Sequence, residues 1–405
     1  MDNHTTRYVI VGNGIAGTTA ADHIRKADPN ASVILLTQEP YSLYNRIALP
    51  PFLKQKIAQQ KVTIKPVIWH QERGIDLRLE TIVTHVDATT QEVYLHDGSP
   101  LPYDKLLIAT GGRANLLPNG DGLDNIFNFQ TLDDALAITA QIDRSESSAV
   151  IGGSYIAYEL TEAFRSRGLH TTWLMRGPWF LRRVLEEAGG ELVDQIAGRH
   201  GVEVVHGVEL AEVRGQDGKI SEVVATNGRV FPVGLLGVGL GIVRNVDFLA
   251  GSGIATKDAV LTDEYLQSNL PNVFAAGDSA EYFDPYIGRH NLMGTWDNAT
   301  NQGKIVAQNL LGGHVAYDEV PTYSTTLFHN RIMAFGATPE SNVGLASVMS
   351  IDPTTESYRR LFFADEHLLG GVIIGDRKGY SKLIDLIQKR TPIPPDEREQ
   401  LLALR

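Results

Sequence analysis

Two glycine-rich turns constrain this chain more than any other feature: GNGIAG at Gly12–Gly17 and GGSYIA at Gly152–Ala157. Each follows a short apolar run, Tyr8–Val11 or Ala149–Ile151, and opens a helix-like stretch. In that strand–turn–helix setting the first glycine makes the tight turn. The second lets the backbone approach a pyrophosphate, and the third allows close packing of helix on strand. Amides at the helix start then face the phosphates, where the helix dipole favours negative charge. One such turn says little alone, but two in one chain suggest one dinucleotide bound permanently and a second that visits. Gly12, Gly14, Ile15, Ala16 and Gly17 are the expected contacts of the first. An acid about 20 residues further on should hold a ribose diol; Glu39, just beyond the second strand, is the nearest.

The rest of the chain alternates in the same way. A helix over Thr18–Lys26 and a β-rich Ser32–Leu36 complete a βαβ unit, which predicts a parallel sheet covered by helices. Leu106–Ala109 is a further buried strand, ending at Thr110-Gly111-Gly112. The pattern restarts at Ala149–Ile151, continues through a helix over Tyr158–Arg167 and a strand at Thr171–Met175, and reaches hairpin-like strands within Val202–Val230. Val273–Ala276, running into Gly277-Asp278, then restores the character of the first domain. The expectation is an α/β protein with two Rossmann-like dinucleotide-binding domains, the second inserted into the first, and a small α+β C-terminal domain. The expected boundaries are 1–115 with 242–318, then 116–241, then 319–405. Asp278, a carboxylate straight after a buried strand, sits where open α/β sheets bind ligands.

The chain has 405 residues, no cysteine and a formal charge of −12. That charge argues against a nucleic-acid surface, which needs a basic field. The absence of cysteine removes disulfides, thiolate nucleophiles and cysteine-ligated metal or iron–sulfur centres. His85, His96, His200 and His206 lack metal-site spacing, so no metal is expected. The longest apolar stretch, Val230–Val243, is short and broken by Pro232, so no membrane span is expected. With no leader-like start, the reading is a soluble cytoplasmic protein.

YDKLLIATGG (Tyr103–Gly112) and LPNVFAAGDSAE (Leu270–Glu281) resemble two further fingerprints of the FAD-binding domain of the two-dinucleotide flavoprotein reductases. EPYSLYNRIALPPFL (Glu39–Leu53), GTWDNATNQGKIVAQNL (Gly294–Leu310) and SYRRLFFADEHLLGGVIIGD (Ser357–Asp376) resemble the cysteine-free branch of that family. Its members include rubredoxin reductases and the flavoprotein part of NAD(P)H nitrite reductases. The resemblance spans essentially the whole chain and implies FAD and NAD(P)H as cofactors. By it, Ala109, Thr110, Gly111 and Gly277 line the FAD site, and Asp278 hydrogen-bonds the ribityl chain. Arg46 contacts FAD phosphate or ribose, Trp296 lies close to the flavin, and Asn298 and Gln302 lie near the isoalloxazine edge. Glu159 takes the place of a glutamate near nicotinamide and flavin. Ferredoxin-type members also carry a lysine near flavin N5; the corresponding stretch here, Arg46–Pro51, offers proline, which leaves backbone amides or a helix N-terminus for that role.

The second turn departs from the rule. Ser154 replaces the second glycine and could itself donate to phosphate, while Ala157 is an accepted variant of the third. Gly152, Gly153, Ser154, Tyr155 and Ile156 are its expected contacts. The following strand ends at Leu174-Met175-Arg176, without the acid that serves NADH. Arg176 and Arg182, with Arg183 nearby, suit a 2′-phosphate, and their spacing resembles the arginine pair of glutathione reductase; the reading favours NADPH over NADH. Without cysteines, electrons from reduced FAD must pass directly to an outside acceptor: a small electron-carrier protein first, or a quinone, oxygen or another small molecule. An NAD(P)H oxidase, a quinone reductase, or a flavoprotein subunit or redox-responsive module with a vestigial second site stay open as alternatives. A homodimer is possible through the terminal domain.

Overall fold

A computed structural model describes residues 5–118, 120, 122–339 and 344–404. The chain divides into two compact units: Met1–Asn45, Gln59–Arg113 and Val243–Pro321 in unit 1, and Arg46–Ala58, Ala114–Ile242 and Thr322–Arg405 in unit 2.

In unit 1, β1 (Arg7–Val11) leads into α1 (Ile15–Ala27) and β2 (Ser32–Leu36). With β3 (Ile75–Arg78), β4 (Lys105–Ile108) and the Val273–Ala275 strand they build one parallel sheet, ordered Val273–Ala275, β4, β1, β2, β3. Successive side chains point to opposite faces of a strand. Ile10, Leu35 and Leu107 therefore share a core with Ile24 of α1 and Val306 of the Trp296–Leu310 helix. Val9, Ile34, Leu106 and Ile108 fill the other face, against Val86 and Val93 of an antiparallel hairpin. Both faces are covered, which is why these strands read as unbroken apolar runs.

The two helices meet at Gly303. A Cβ there would lie 2.5 Å from the Ala16 carbonyl oxygen and 3.0 Å from Thr19 Cβ, so the close approach of the helices requires glycine.

In unit 2, α2 (Leu49–Leu53) precedes a second parallel sheet built from β5 (Ile126–Phe127), β6 (Ser147–Ile151), β7 (His170–Leu174), β8 (Val202–Val205) and β9 (Leu236–Val238), in the order β5, β9, β6, β7, β8. α3 (Tyr155–Ser166) joins β6 to β7, and α4 (Glu187–Arg199) joins β7 to β8. The hairpin-like region forms three antiparallel strands between Leu210 and Pro232. α2 docks on α3 through two contacts: Arg167 donates to the Leu53 carbonyl at 2.9 Å, and Lys54 pairs with Glu162 at 2.9 Å. Those contacts explain why Arg46–Ala58 clusters with this unit and not with its chain neighbours.

The terminal part of unit 2 is an antiparallel sheet of β10 (Thr322–Leu327), β11 (Asn330–Gly336), β12 (Ala346–Asp352), β13 (Ser357–Ala364) and β14 (His367–Ile374), ordered β10, β11, β14, β13, β12. The Tyr380–Gln388 helix buries Leu383 and Ile387. Arg359 is buried and donates to the carbonyls of Lys378, Leu401, Leu402 and Leu404, which ties the last segment to the sheet.

Two glycine-to-alanine changes should move the thermal midpoint in opposite directions. Gly303→Ala forces α1 from the Trp296–Leu310 helix and costs about 1–3 kcal/mol as overpacking. Gly198→Ala, in α4 with open space around its Cβ, gains up to about 1 kcal/mol of helix propensity. Differential scanning calorimetry reads both; a midpoint that does not fall in Gly303→Ala contradicts the packing account.

Candidate functional site

The first turn is built as its glycines predict. Gly12 has φ +117° and a Cβ there would meet the Ala109 carbonyl oxygen at 2.0 Å; at Gly17 it would meet the Gly12 carbonyl oxygen, also at 2.0 Å. A Cβ on Gly14 would meet nothing within 4 Å, as expected of a glycine that leaves room for a ligand and not for the protein. α1 has no side-chain cap and no acid in its first turn, so the helix presents backbone amides, Ile15 and Ala16 among its first residues. Asn13 anchors the turn: its Nδ2 donates to the Tyr41 carbonyl, and Thr18 donates to its Oδ1 at 2.8 Å. Glu39, three residues past the end of β2, is half-buried and accepts from the Tyr44 hydroxyl at 2.7 Å.

The other unit 1 candidates gather at the ends of β4 and the Val273–Ala275 strand. Ala109 is buried, and the Thr110-Gly111 turn is locked by Asn245: Thr110 Oγ1 donates to the Asn245 carbonyl, and Asn245 returns its amide to the Gly111 carbonyl and its Nδ2 to the Thr110 carbonyl. Gly111 has φ +64° and open space at its Cβ position. Gln302, almost fully buried, accepts the Gly277 N–H at 2.7 Å, so it shapes the Gly277-Asp278 turn. Asp278 lies against Gly294, where a Cβ would come within 1.9 Å of its Oδ1. Trp296 is half-buried in the first turn of its helix, and buried Asn298 donates to the Met293 carbonyl. A closely fitted carboxylate, an uncapped helix start and glycines with space beside them fit a dinucleotide with a polyol arm.

The second turn repeats the backbone device. Gly152 has φ +132°, and a Cβ would meet the Gly239 carbonyl oxygen at 2.2 Å. Ser154, however, caps α3: its Oγ accepts from the Ala157 N–H and donates to the Gly239 carbonyl at 2.9 Å. The hydroxyl expected to reach a phosphate is thus already donated to the protein. Gly153 lies 3.8 Å, at its Cβ position, from the Met175 sulfur. Ile156 is half-buried. Tyr155 packs against Tyr323 with ring centroids 3.7 Å apart and planes tilted by 30°, and meets Phe180 edge-on. Met175 is buried, whereas Arg176, just past the end of β7, and Arg182 and Arg183, in the loop that follows, are exposed. Arg46 donates to the Gln130 carbonyl, just before the capping box that starts the Leu132–Ile142 helix.

Glu159, half-buried, stands in the second turn of α3. Its Oε1 accepts from Thr325 at 2.9 Å. Three residues on, Glu162 pairs with Lys54; both side chains are under 10% exposed. Burial pushes the Glu159 carboxyl up to about 7, opposed by the Thr325 hydrogen bond and the Lys54 charge and assisted by Glu162. Glu162 is raised by the same burial, against Lys54. The stretch Arg46–Pro51 holds no lysine; Lys54, three residues further on, supplies a buried cation, and it is the α2–α3 packing that brings it there. Asn13, Asn245, Gly294 and Thr325 were also missed, because each acts through a tertiary contact with no local signature.

A family model described as pyridine nucleotide-disulphide oxidoreductase matches residues 6–303. The chain belongs to that family. A second model, described as rubredoxin NAD+ reductase C-terminal domain, matches residues 327–391. The ferredoxin–NAD(+) reductase component of an anthranilate 1,2-dioxygenase system from Burkholderia cepacia is 30% identical over 78% of this chain and 78% of its own. Among solved structures, a covalent putidaredoxin reductase–putidaredoxin complex superposes with TM-score 0.92 at 22% identity, over 99% of both chains. An engineered water-forming NADPH oxidase bound to NADPH gives 0.88 at 21%, over 98% of this chain and 97% of that one. These structures share the fold. The protein is thus an FAD-dependent pyridine nucleotide oxidoreductase, and with no cysteine it is not a disulfide reductase of this family. Among the described residues no helix is long and apolar enough to cross a membrane.

Gly294→Ala should weaken FAD retention at least tenfold, because the added methyl displaces the Asp278 carboxylate. Equilibrium dialysis and far-UV circular dichroism read it; retained FAD in a folded variant contradicts the assignment. Lys54→Met strands Glu162 as a buried charge and should cost about 3–5 kcal/mol in urea unfolding. Removing both charges, as in Lys54→Met/Glu162→Leu, should recover most of that loss.

Proposed function

We propose that the protein oxidises a reduced nicotinamide dinucleotide held at the second turn, keeps FAD at the first, and passes electrons to a separate small electron-carrier protein. The observation that carries this reading is chemical. A chain of this family with no cysteine has no internal disulfide to reduce, so electrons must leave for an outside acceptor. The terminal domain described for rubredoxin NAD+ reductase and a relative described as a ferredoxin–NAD(+) reductase component support a protein carrier. When bound, FAD supplies the hydride acceptor and releases electrons singly or in pairs.

The residues of the chain bind and orient. Gly14 and the start of α1 receive the FAD pyrophosphate, Glu39 the adenosine ribose, and Asp278 the ribityl hydroxyls. Glu159 is assigned to accept from the nicotinamide carboxamide, a task for the ionised carboxylate; that form dominates above about pH 7.

The second dinucleotide is read as NADPH. Met175 provides no acceptor for a ribose diol, and Arg176 and Arg182 are exposed beside it. The substitutions in the engineered NADPH oxidase exchange an aspartate for alanine, the next residue for arginine, and a proline six positions further on for arginine. Met175, Arg176 and Arg182 have the same spacing.

Stopped-flow reduction tests both statements. The yellow holoprotein should bleach within its turnover time, faster with NADPH than with NADH, and bleaching by neither sinks the proposal. In Arg176→Ala/Arg182→Ala, kcat/KM for NADPH should fall roughly tenfold or more, the loss expected from one or more charge-assisted hydrogen bonds. The value for NADH should hold; equal losses for both would remove the NADPH assignment.

A further inference from the structure

Among the described residues β10 is an edge strand of the terminal sheet, paired with β11 in the order β10, β11, β14, β13, β12. Alternate residues of a strand share a face and lie about 7 Å apart, close to the roughly 6 Å between residues i and i+4 of a helix. Tyr323 and Thr325 on β10 use that match against Tyr155 and Glu159 on α3. The two tyrosine rings pack at a tilt, and the threonine hydroxyl donates to the carboxylate. At the tip of the strand the Phe328 N–H donates to the Tyr158 hydroxyl, and the Phe328 ring stacks on His200. The hairpin is held further by His329, which bonds His200 at 3.1 Å and Glu356 at 2.8 Å, and by the Arg199–Glu356 pair.

We propose that Thr325 is the positioning residue for Glu159: its hydroxyl fixes the carboxylate oxygen from the terminal sheet and so orients the group for the nicotinamide. This rests on the assignment of Glu159 to the nicotinamide made above. The case is geometric first. Glu159 has one hydroxyl donor on Oε1, and the charged groups around it are unbalanced, since Lys54 is shared with Glu162. From β10 it is faced by Thr325 and Tyr323, from the end of α2 by Lys54, and along α3 by Glu162, with Tyr158 nearby. The Tyr323 and Tyr158 phenols are driven well above their usual range by burial, so both stay neutral and bring no compensating charge. A hydroxyl donor favours the ionised form of its partner, which makes Thr325 the neutral group that offsets burial here. The terminal domain thereby contributes to nucleotide chemistry as well as covering its own core.

The test separates this placement from the nicotinamide assignment. Infrared titration of the FAD-loaded protein should show a protonated-carboxyl band, absent in Glu159→Gln, that disappears as pH rises through neutrality. In Thr325→Val its midpoint should move about one pH unit upward, the tenfold change in ionisation that one hydrogen bond to a charged group carries. Thr325→Ser should restore it. In flavin reduction by NADPH and NADH, Thr325→Val should show an apparent KM raised about fivefold at pH 7 and converging with the parent at high pH. An unmoved infrared midpoint, or no recovery with serine, overturns the proposal. A moved midpoint with unchanged reduction kinetics upholds the placement and overturns the nicotinamide assignment instead. A purely structural role would lower activity equally at every pH, and that too would overturn it.

Discussion

Each dinucleotide fold of this protein depends on a carbonyl oxygen that points at a residue with no Cβ. The Ala109 oxygen occupies the place where a side chain on Gly12 would begin, and the Gly239 oxygen does the same at Gly152. Both glycines have φ values that other residues rarely adopt, +117° and +132°. The contact lets β1 or β6 end abruptly beside a neighbouring strand and releases the chain at once into a helix. The start of that helix then lies at the carboxyl edge of a parallel sheet, where backbone amides can meet phosphate. Any Cβ at either glycine separates strand from strand before it touches a ligand. Fold and binding site therefore fail together at these positions.

Beyond that shared device the two turns differ in how they treat the helix start. α1 has no side-chain cap, and the space beside Gly14 is open. α3 is capped by Ser154, whose hydroxyl also spans to the Gly239 carbonyl. A cap stabilises the helix by about 1 kcal/mol without any ligand, and it uses one amide that an anion would otherwise take. An uncapped start gains more from its phosphate than a capped one. That asymmetry matches a dinucleotide that stays at the first turn and one that comes and goes at the second.

Much of this was legible in the sequence, for identifiable reasons. Short apolar runs and glycine turns are local signals, so β1, α1, β2, β6 and α3 lie where the pattern put them. Gly14, Glu39 and the Gly277-Asp278 turn could be named because each motif carries its own chemistry at fixed offsets. What could not be read was the set of groups that hold those residues. Asn245 locks Thr110 from 135 positions away, and Thr325 reaches Glu159 across 166. Gln302 is expected near the isoalloxazine edge, and the backbone contact of its side-chain oxygen with the Gly277 N–H could not be foreseen. Ser154 was read as a phosphate donor because a free serine is one; only the nearby Gly239 carbonyl reveals that its proton is already placed.

Lys54 shows how a short element can bring charge to a neighbouring helix. It caps α2 and delivers its ammonium group to Glu162 on α3. Glu159 and Glu162 both feel the Lys54 charge, with Lys56 adding to it at Glu162, and burial raises both carboxyls against that attraction. Glu162 takes the direct contact, so the ionisation of Glu159 is left to weaker and longer-range terms. A neutral donor is the least costly addition under those conditions, because it stabilises negative charge without introducing another ion to desolvate. The hydroxyl of Thr325 meets that requirement, and it comes from the domain that, by sequence position, lies furthest from either glycine turn.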